Sequence, residues 1–371
     1  MRAYLVIGID GLASLLLATA AFAEAPYPPS PVIASVQWDF AHVRKLAPGS
    51  DLWPVTWGRD GNLYAAWGDG GGFGGTDRDG RASLGFARIA GSPPDLTTEN
   101  VWGGKDAAHP AQFGGKVDAL LSVSGVLYAL GGVWPGAPGL RTWSSPHEHR
   151  LLWSADLGAT WKTADWAFAT AAAPEFCPTV FLNFGRDYEG ARDDFVYLYF
   201  ADAWWTWEKT AAPADSFLAR VPRPRIRERS AYEFFAGTAG APVWTPEFAK
   251  RRPVFHDPNR RTLNKVVYDR GLRRYLATAA GAQVGQLGLF DAPEPWGPWT
   301  TAAYYDTWGD FGPREALEFE LPAKWISADG TRLWCIFSST GDLDAFNPIE
   351  VTLSLRHGVQ DRTPISRPGR N

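Results

Sequence analysis

At 371 residues the chain could form two average domains or one large all-β domain. Its 39 Gly, 29 Pro, 19 Trp, 21 Phe and 12 Tyr, set against 1 Met, favour short strands and tight turns and exclude a helical bundle. A formal net charge of −4 provides no cationic field for a phosphate backbone, which argues against nucleic acid as a partner.

The first segment, residues 1–23, reads as a signal peptide. Arg2 supplies the positive start, LASLLLATAAF the apolar core, and Ala21-Phe22-Ala23 a small-x-small cleavage site. Asp10 keeps the apolar run below the length that a bilayer needs. The expectation is an exported chain beginning near Glu24, secreted or periplasmic, monomeric, and free of the membrane once cleaved.

Beyond VIASVQWDF (32–40), one hairpin recurs along the chain: WPVTWGRDGNLYAAW (53–67), DALLSVSGVLYAL (118–130), TVFLNFGRDYEGARDDFVYLYF (179–200), NKVVYDRGLRRYLATAAG (264–281) and KWISADGTRLWCIFSS (324–339). A third strand follows each copy, beginning near Ser83, Arg150, Ser216, Leu287 and Val351, and most copies show a fourth, as in WKTADWAF, AYEFFAG and TTAAYYD. Repetition of one unit at this spacing predicts an all-β, five-bladed β-propeller with four-stranded blades, spanning 24–371 as one domain. The last unit runs out after its third strand, so residues 32–40 are expected to complete it and close the ring. Cys177 and Cys335 fall in non-adjacent units and are expected to be buried and free.

In the first unit, DLWPVTWGRDGNLYAAWGDGGGFGG (51–75) has an aspartate at each end of its apolar part. A turn at Arg59-Asp60-Gly61 pairs Gly58 with Asn62, and continuing that register sets Asp51 directly across from Asp69. Cross-strand Cβ atoms lie roughly 4.5–5.5 Å apart. Two carboxylates that close cannot both ionise easily, so one becomes a general acid beside a remaining nucleophile or base, the equipment of a glycosidase. The apolar flank of Asp51, Leu52 and Trp53, makes it the expected acid and Asp69 the nucleophile or base; a separation of ~5–5.5 Å would mean retention of configuration. The competing reading is turn chemistry, since Asp-Gly recurs at 60–61, 69–70, 79–80 and 329–330.

Lys265 and Lys324 each stand six residues before a turn glycine, Gly271 and Gly330, and Lys116 sits early in its unit, so all three are expected to line the central funnel. Asn183 and Asn264 are further candidates for holding substrate, and Trp53, Trp67, Phe73 and the cluster Trp204-Trp205-Trp207 are candidates for stacking on sugar faces. His147-Glu148-His149 lacks further metal ligands at recognisable spacing, Asp77-Arg78-Asp79-Gly80 lacks the rest of a calcium loop, and Gly68 to Gly75 lacks the Lys-Ser/Thr of a phosphate loop. No metal or other cofactor is expected.

SADLGATW (154–161) matches the Ser-x-Asp-x-Gly-x-Thr-Trp box at hairpin turns of sialidase-like propellers, where its role is structural. More extensively, Asp-x-Trp-Pro through Trp-Gly-Asp-Gly (51–70), CPTVFLNFGRDYEGARDDFVYLY (177–199), FLARVP (217–222), AYEFFAG (231–237), DAPEPWGPWT (291–300) and AKWISADG (323–330) resemble an exported bacterial propeller domain family, long of unknown function, that includes endo-D-arabinanases. The resemblance implies hydrolysis of a furanoside-containing polysaccharide or oligosaccharide by two aspartates in the first blade, here Asp51 and Asp69. A polysaccharide lyase using the lysines, or a non-catalytic glycan-binding propeller using the tryptophans, are the alternatives.

Overall fold

The computed structural model describes residues 24–134, 148–170, 176–202, 214–281, 285–309, 318–339 and 341–356. Residues 1–23, expected to be a signal peptide, and the Trp204-Trp205-Trp207 cluster lie outside the described residues, as does His147.

The described chain is built of strands joined by turns and three-residue 3₁₀ segments. Strand β1 (Ile33–Trp38) comes first, then an antiparallel meander of β2 (Val55–Trp57), β3 (Leu63–Gly68), β4 (Leu84–Ser92) and β5 (Asp95–Trp102). A second meander holds β6 (Gly114–Val123), β7 (Val126–Trp134), β8 (Glu148–Ser154) and β9 (Lys162–Thr163). The third runs through β10 (Cys177–Asn183), β11 (Phe195–Ala201), β12 (Asp215–Pro222) and β13 (Glu233–Phe235), and adds β14 (Trp244–Thr245) at its edge and β15 (Pro253–His256) on β12. The fourth is β16 (Arg261–Asp269), β17 (Arg274–Gly281), β18 (Leu287–Ala292) and β19 (Thr300–Tyr305). The last comprises β20 (Phe319–Glu320), β21 (Arg332–Phe337) and β22 (Asn347–Leu355), and β1 pairs with β22 from Ile33↔Leu355 to Trp38↔Val351.

The meanders form a propeller-like array, but one boundary differs from five separate sheets. The inner strands β10 and β16 pair in parallel at Leu182↔Val266 and Asn183↔Val267, which merges the third and fourth meanders into one sheet. Strand β10 runs past its last partner in β11 there, so the main-chain groups of Leu182 and Asn183 find those of β16, which stays paired with β17 on its other side.

Aromatic side chains fill the spaces between neighbouring meanders. Phe86 of β4 stacks on Trp161 at 4.1 Å and 20°, and Phe235 of β13 stacks on Trp296 at 6.0 Å and 16°. The box at 154–161 is turn chemistry: Asp156 accepts from Thr160 N at 2.9 Å and Thr160 Oγ1 at 2.6 Å, while Trp161 Nε1 donates to Gly158 O at 3.0 Å. Cys177 on β10 and Cys335 on β21 are both buried, and neither is in a disulfide. Among the described residues no helix is long and apolar enough to cross a membrane.

Candidate active site

The hairpin β2–β3 has the expected register near its turn, with Val55↔Ala65, Thr56↔Tyr64 and Trp57↔Leu63, and Gly58 N donates to Asn62 O. It departs from that register at the open end. Asp51 pairs with Gly68, each donating its N–H to the other's carbonyl at 3.0 Å, and not with Asp69. The cause lies between: Leu52 (φ 74) and Trp53 (φ 51) take left-handed backbone, so three steps of the first strand match two of the second. Such backbone costs on the order of 1–3 kcal/mol per residue and persists where the surroundings hold it. Here Trp53 is locked, its ring in the core and its Nε1 donating to Ser50 O at 2.8 Å.

Asp69, itself at φ 66, is brought to the same place by the glycine loop that follows β3. Asn100 pins that loop, accepting from Phe73 N and donating to Gly71 O, Phe73 O and Lys105 O, and Ser50 Oγ accepts from Gly72 N. Lys116 of β6 closes the arrangement. Its buried ammonium donates to Asp69 Oδ1 and to Ser83 O at 2.9 Å, and Arg81 stands 4.0 Å from the same carboxylate oxygen. The close approach requires Gly68: a Cβ there would lie 2.6 Å from both Asp51 Oδ1 and Lys116 Nζ.

The two carboxylates therefore share a lysine and differ in surroundings. Asp69 is ion-paired. Asp51 Oδ1 is shut off from solvent and, among the described residues, accepts no hydrogen bond. Burial pushes the Asp51 carboxyl up to about 7; Lys116 pulls it down, and Asp69, Asp344 and Glu318 push it further up. Asp344 follows the same trend, raised to about 6 by burial and by the charges of Asp77 and Asp69. At neutral pH the arrangement can hold a proton on Asp51 beside an oxygen nucleophile or base on Asp69.

Lys265 also enters this region. From β16 its Nζ reaches the main-chain oxygen of Asp118 on β6 at 2.5 Å and stands 3.9 Å from Glu318. Asn264 donates to Glu318 Oε2 at 3.0 Å. Asn183 accepts from Thr56 Oγ1 at 3.2 Å, linking β10 to β2.

Other expected site residues lie elsewhere. Trp53 and Trp67 are 0% exposed and face each other 5.8 Å apart, with Phe73 packed on Trp53 at 5.1 Å, so these rings form core and present no face to a sugar. Strand alternation points them inward between the first meander and Phe346 of the last. Lys324 is displaced too. Pro322 ends β20 and starts a 3₁₀ segment, Ala323–Trp325, in place of the strand that would match β16, and Lys324 comes under the influence of Asp60 at the far tip of β2–β3.

Sequence reasoning passed over Glu318 and Glu320 and considered His149 only for metal. Glu318 and Glu320 precede the hairpin as it was drawn; Glu320 is buried, pushed up to about 7 with Lys265 opposing, and accepts from Val55 N at 3.3 Å, joining last meander to first. His149 was weighed as a metal ligand, yet its buried ring sits 2.9 Å from Asp118 Oδ2. Spacing gave no signal for that contact, because Asp118 is the residue that β6 skips against β7. Among the described residues no three His, Cys, Asp or Glu side chains gather as a metal-binding set.

No family model matches the chain, and no curated protein matches it. Among solved structures, a candidate hydrolase from Bacteroides ovatus is similar over 87% of this chain and 90% of its own, at 11% identity and TM-score 0.51. The GH43_1 enzyme of Xanthomonas citri aligns over 84% and 88% at 13% identity and TM-score 0.44. Zg3597, a family 117 glycoside hydrolase of Zobellia galactanivorans, aligns over 90% and 95% at 12% identity and TM-score 0.39. At such identities the likeness is one of fold.

Proposed function

We propose that the chain is a five-bladed propeller closed by β1 and acts as a glycoside hydrolase on a furanoside-containing polysaccharide, as an endo-D-arabinanase does. Asp51 is the general acid that protonates the leaving oxygen, and Asp69 is the nucleophile or base. The observation that carries this reading is the unequal pair around Gly68: one carboxylate held by Lys116, the other with a buried oxygen and no donor. Environments that drive two carboxyl groups apart are how one site supplies both an acid and a base.

Among the described residues, several groups that the rival readings would use are engaged elsewhere. A lyase needs free cations for a uronate, and here Lys116 is taken by Asp69 and Lys265 by the Asp118 carbonyl, with Glu318 alongside. A stacking module needs exposed rings, and of the tryptophans proposed for stacking, the two among the described residues, Trp53 and Trp67, are core. The protein is further proposed to be a secreted or periplasmic monomer that starts near Glu24.

The test is a reducing-end assay of the exported, N-terminally sequenced protein on arabinan, arabinogalactan and uronate-rich polysaccharides. Hydrolysis of a furanoside polymer is expected, with Asp51→Asn and Asp69→Asn each folded and each slower by on the order of 10² or more. A new chromophore at the ultraviolet edge would identify a lyase instead, and near-normal turnover by either folded variant would return both aspartates to turn chemistry.

A further inference from the structure

The inner strands β6, β10 and β16 share an irregularity that the reaction as proposed leaves unused. Each skips one residue against its hairpin partner: Asp118 between Val117 and Ala119, Thr179 between Pro178 and Val180, Asn264 between Leu263 and Lys265. A bulge takes one side chain out of the strand's alternation and is found disproportionately beside active sites. In all three strands the skipped residue is polar and part-exposed, and the residues on either side of it are buried.

Asp118 is the most firmly built of the three. Its Oδ2 meets His149 Nε2 at 2.9 Å, and its side chain is 28% exposed while that of His149 is 0% exposed. The main chain that carries the ring is fixed from behind: His149 N donates to Ala169 O at 2.9 Å, and its carbonyl accepts from Phe168 N at 2.8 Å. Between the two strands runs β7, where Gly132 pairs with Lys116 on one side and His149 on the other. With no side chain at that crossing, the ring can reach over β7 to the inner strand. Among the described residues Asp118 Oδ1 accepts no hydrogen bond, so one oxygen is oriented and the other is left for a ligand.

The cluster adjoins the aspartate pair. Lys116, two residues earlier on β6, holds Asp69; Lys265 joins the Asp118 carbonyl to the neighbourhood of Glu318, which Asn264 also holds; and the charge of Glu318 acts on Asp51. Sugar hydroxyls are strong donors, and an ionised carboxylate is the acceptor that binds them best.

We infer that Asp118, oriented by His149, binds a sugar hydroxyl through Oδ1 and, with Asn264 and Glu318, forms a subsite next to the Asp51–Asp69 pair. This rests on the glycosidase reading above. Binding there is equal in the ground and transition states, so its loss raises KM with little change in kcat.

A linear D-arabinofuranose hexasaccharide serves as the probe. Asp118→Ala and Asp118→Asn are expected to raise KM tenfold or more with kcat within threefold. His149→Leu should do the same, while His149→Gln, which keeps a donor, should stay closer to wild type. Circular dichroism verifies folding, with Asp118→Asn as the least disruptive variant. An unchanged KM in folded Asp118→Ala or Asp118→Asn overturns the inference even though hydrolysis persists. If the wild type does not hydrolyse the probe, calorimetry decides separately: binding by the wild type that weakens tenfold in Asp118→Ala upholds the subsite and faults the hydrolase reading. No binding by the wild type overturns the subsite.

Discussion

The hairpin β2–β3 has an aspartate at its tip and another at its mouth, and the two have opposite fates. At the tip Asp60 accepts from Asn62 N at 3.2 Å, Asn62 Nδ2 at 2.7 Å and Tyr64 OH at 2.8 Å. Burial would raise its carboxyl, but these donors prevail and hold it below the usual value. At the mouth Asp51 has a buried oxygen with no donor, and burial lifts it to about 7. The residue type is the same, and so is the strand pair. What separates turn chemistry from acid–base chemistry is the supply of hydrogen-bond donors, which sequence spacing does not display.

The comparison can be broken first at Gly68. A methyl group there would lie 2.6 Å from Asp51 Oδ1 and Lys116 Nζ and 2.9 Å from Lys116 Cδ and would displace both side chains, so Gly68→Ala, checked for folding by circular dichroism, should lose activity by on the order of 10². Gly240→Ala is the control, because nothing lies within 4 Å of its Cβ position. Equal activity in the two variants would mean that the geometry around Gly68 is irrelevant to function.

A smaller effect should appear in stability. A carboxyl raised from its ordinary value to about 7 on folding favours the folded state below the ordinary value, and that advantage fades as pH climbs through 7. Asp51→Asn, which cannot ionise, should therefore melt close to wild type at pH 4 and several degrees higher at pH 8. Melting below wild type at pH 8 would mean that the Asp51 charge is well solvated.

The smallest effect belongs to the tip. Asp60→Asn should cost at most about 1 kcal/mol, since solvent screens this exposed group, and should leave activity unchanged. Its carboxyl is depressed on folding, so the loss should be seen above the ordinary carboxylate range and vanish as pH falls below it. Urea denaturation at pH 7 and pH 3 reads both signs.

Much of the architecture was legible because strand alternation and turn chemistry are local. The recurring hairpins, the third strands and the segment that pairs with β22 all carry their signal within ten or so residues. The site was legible only in part. Asp51 and Asp69 come together, but the one-residue slip at Leu52–Trp53 depends on how Trp53 packs in the core. The tryptophans were misjudged for the same reason: from sequence, a ring on an inner strand reads alike whether it faces a neighbouring meander or open space. Lys265 and Lys324 have matching distances to their turn glycines, yet Pro322 removes the strand that would have made them equivalent. Asp118 and His149 met through a bulge and a glycine in the intervening strand, neither of which leaves a periodic trace.

The central claim, that Asp51 keeps its proton near neutrality beside the Asp69–Lys116 pair, has a direct measurement. Carboxyl ¹³C shifts of the aspartates, followed across pH in the wild type and in Asp51→Asn, should show one resonance with a midpoint of about 7 that is missing from the variant. A wild-type spectrum in which the Asp51 resonance titrates in the ordinary carboxylate range, near 4, would contradict the account.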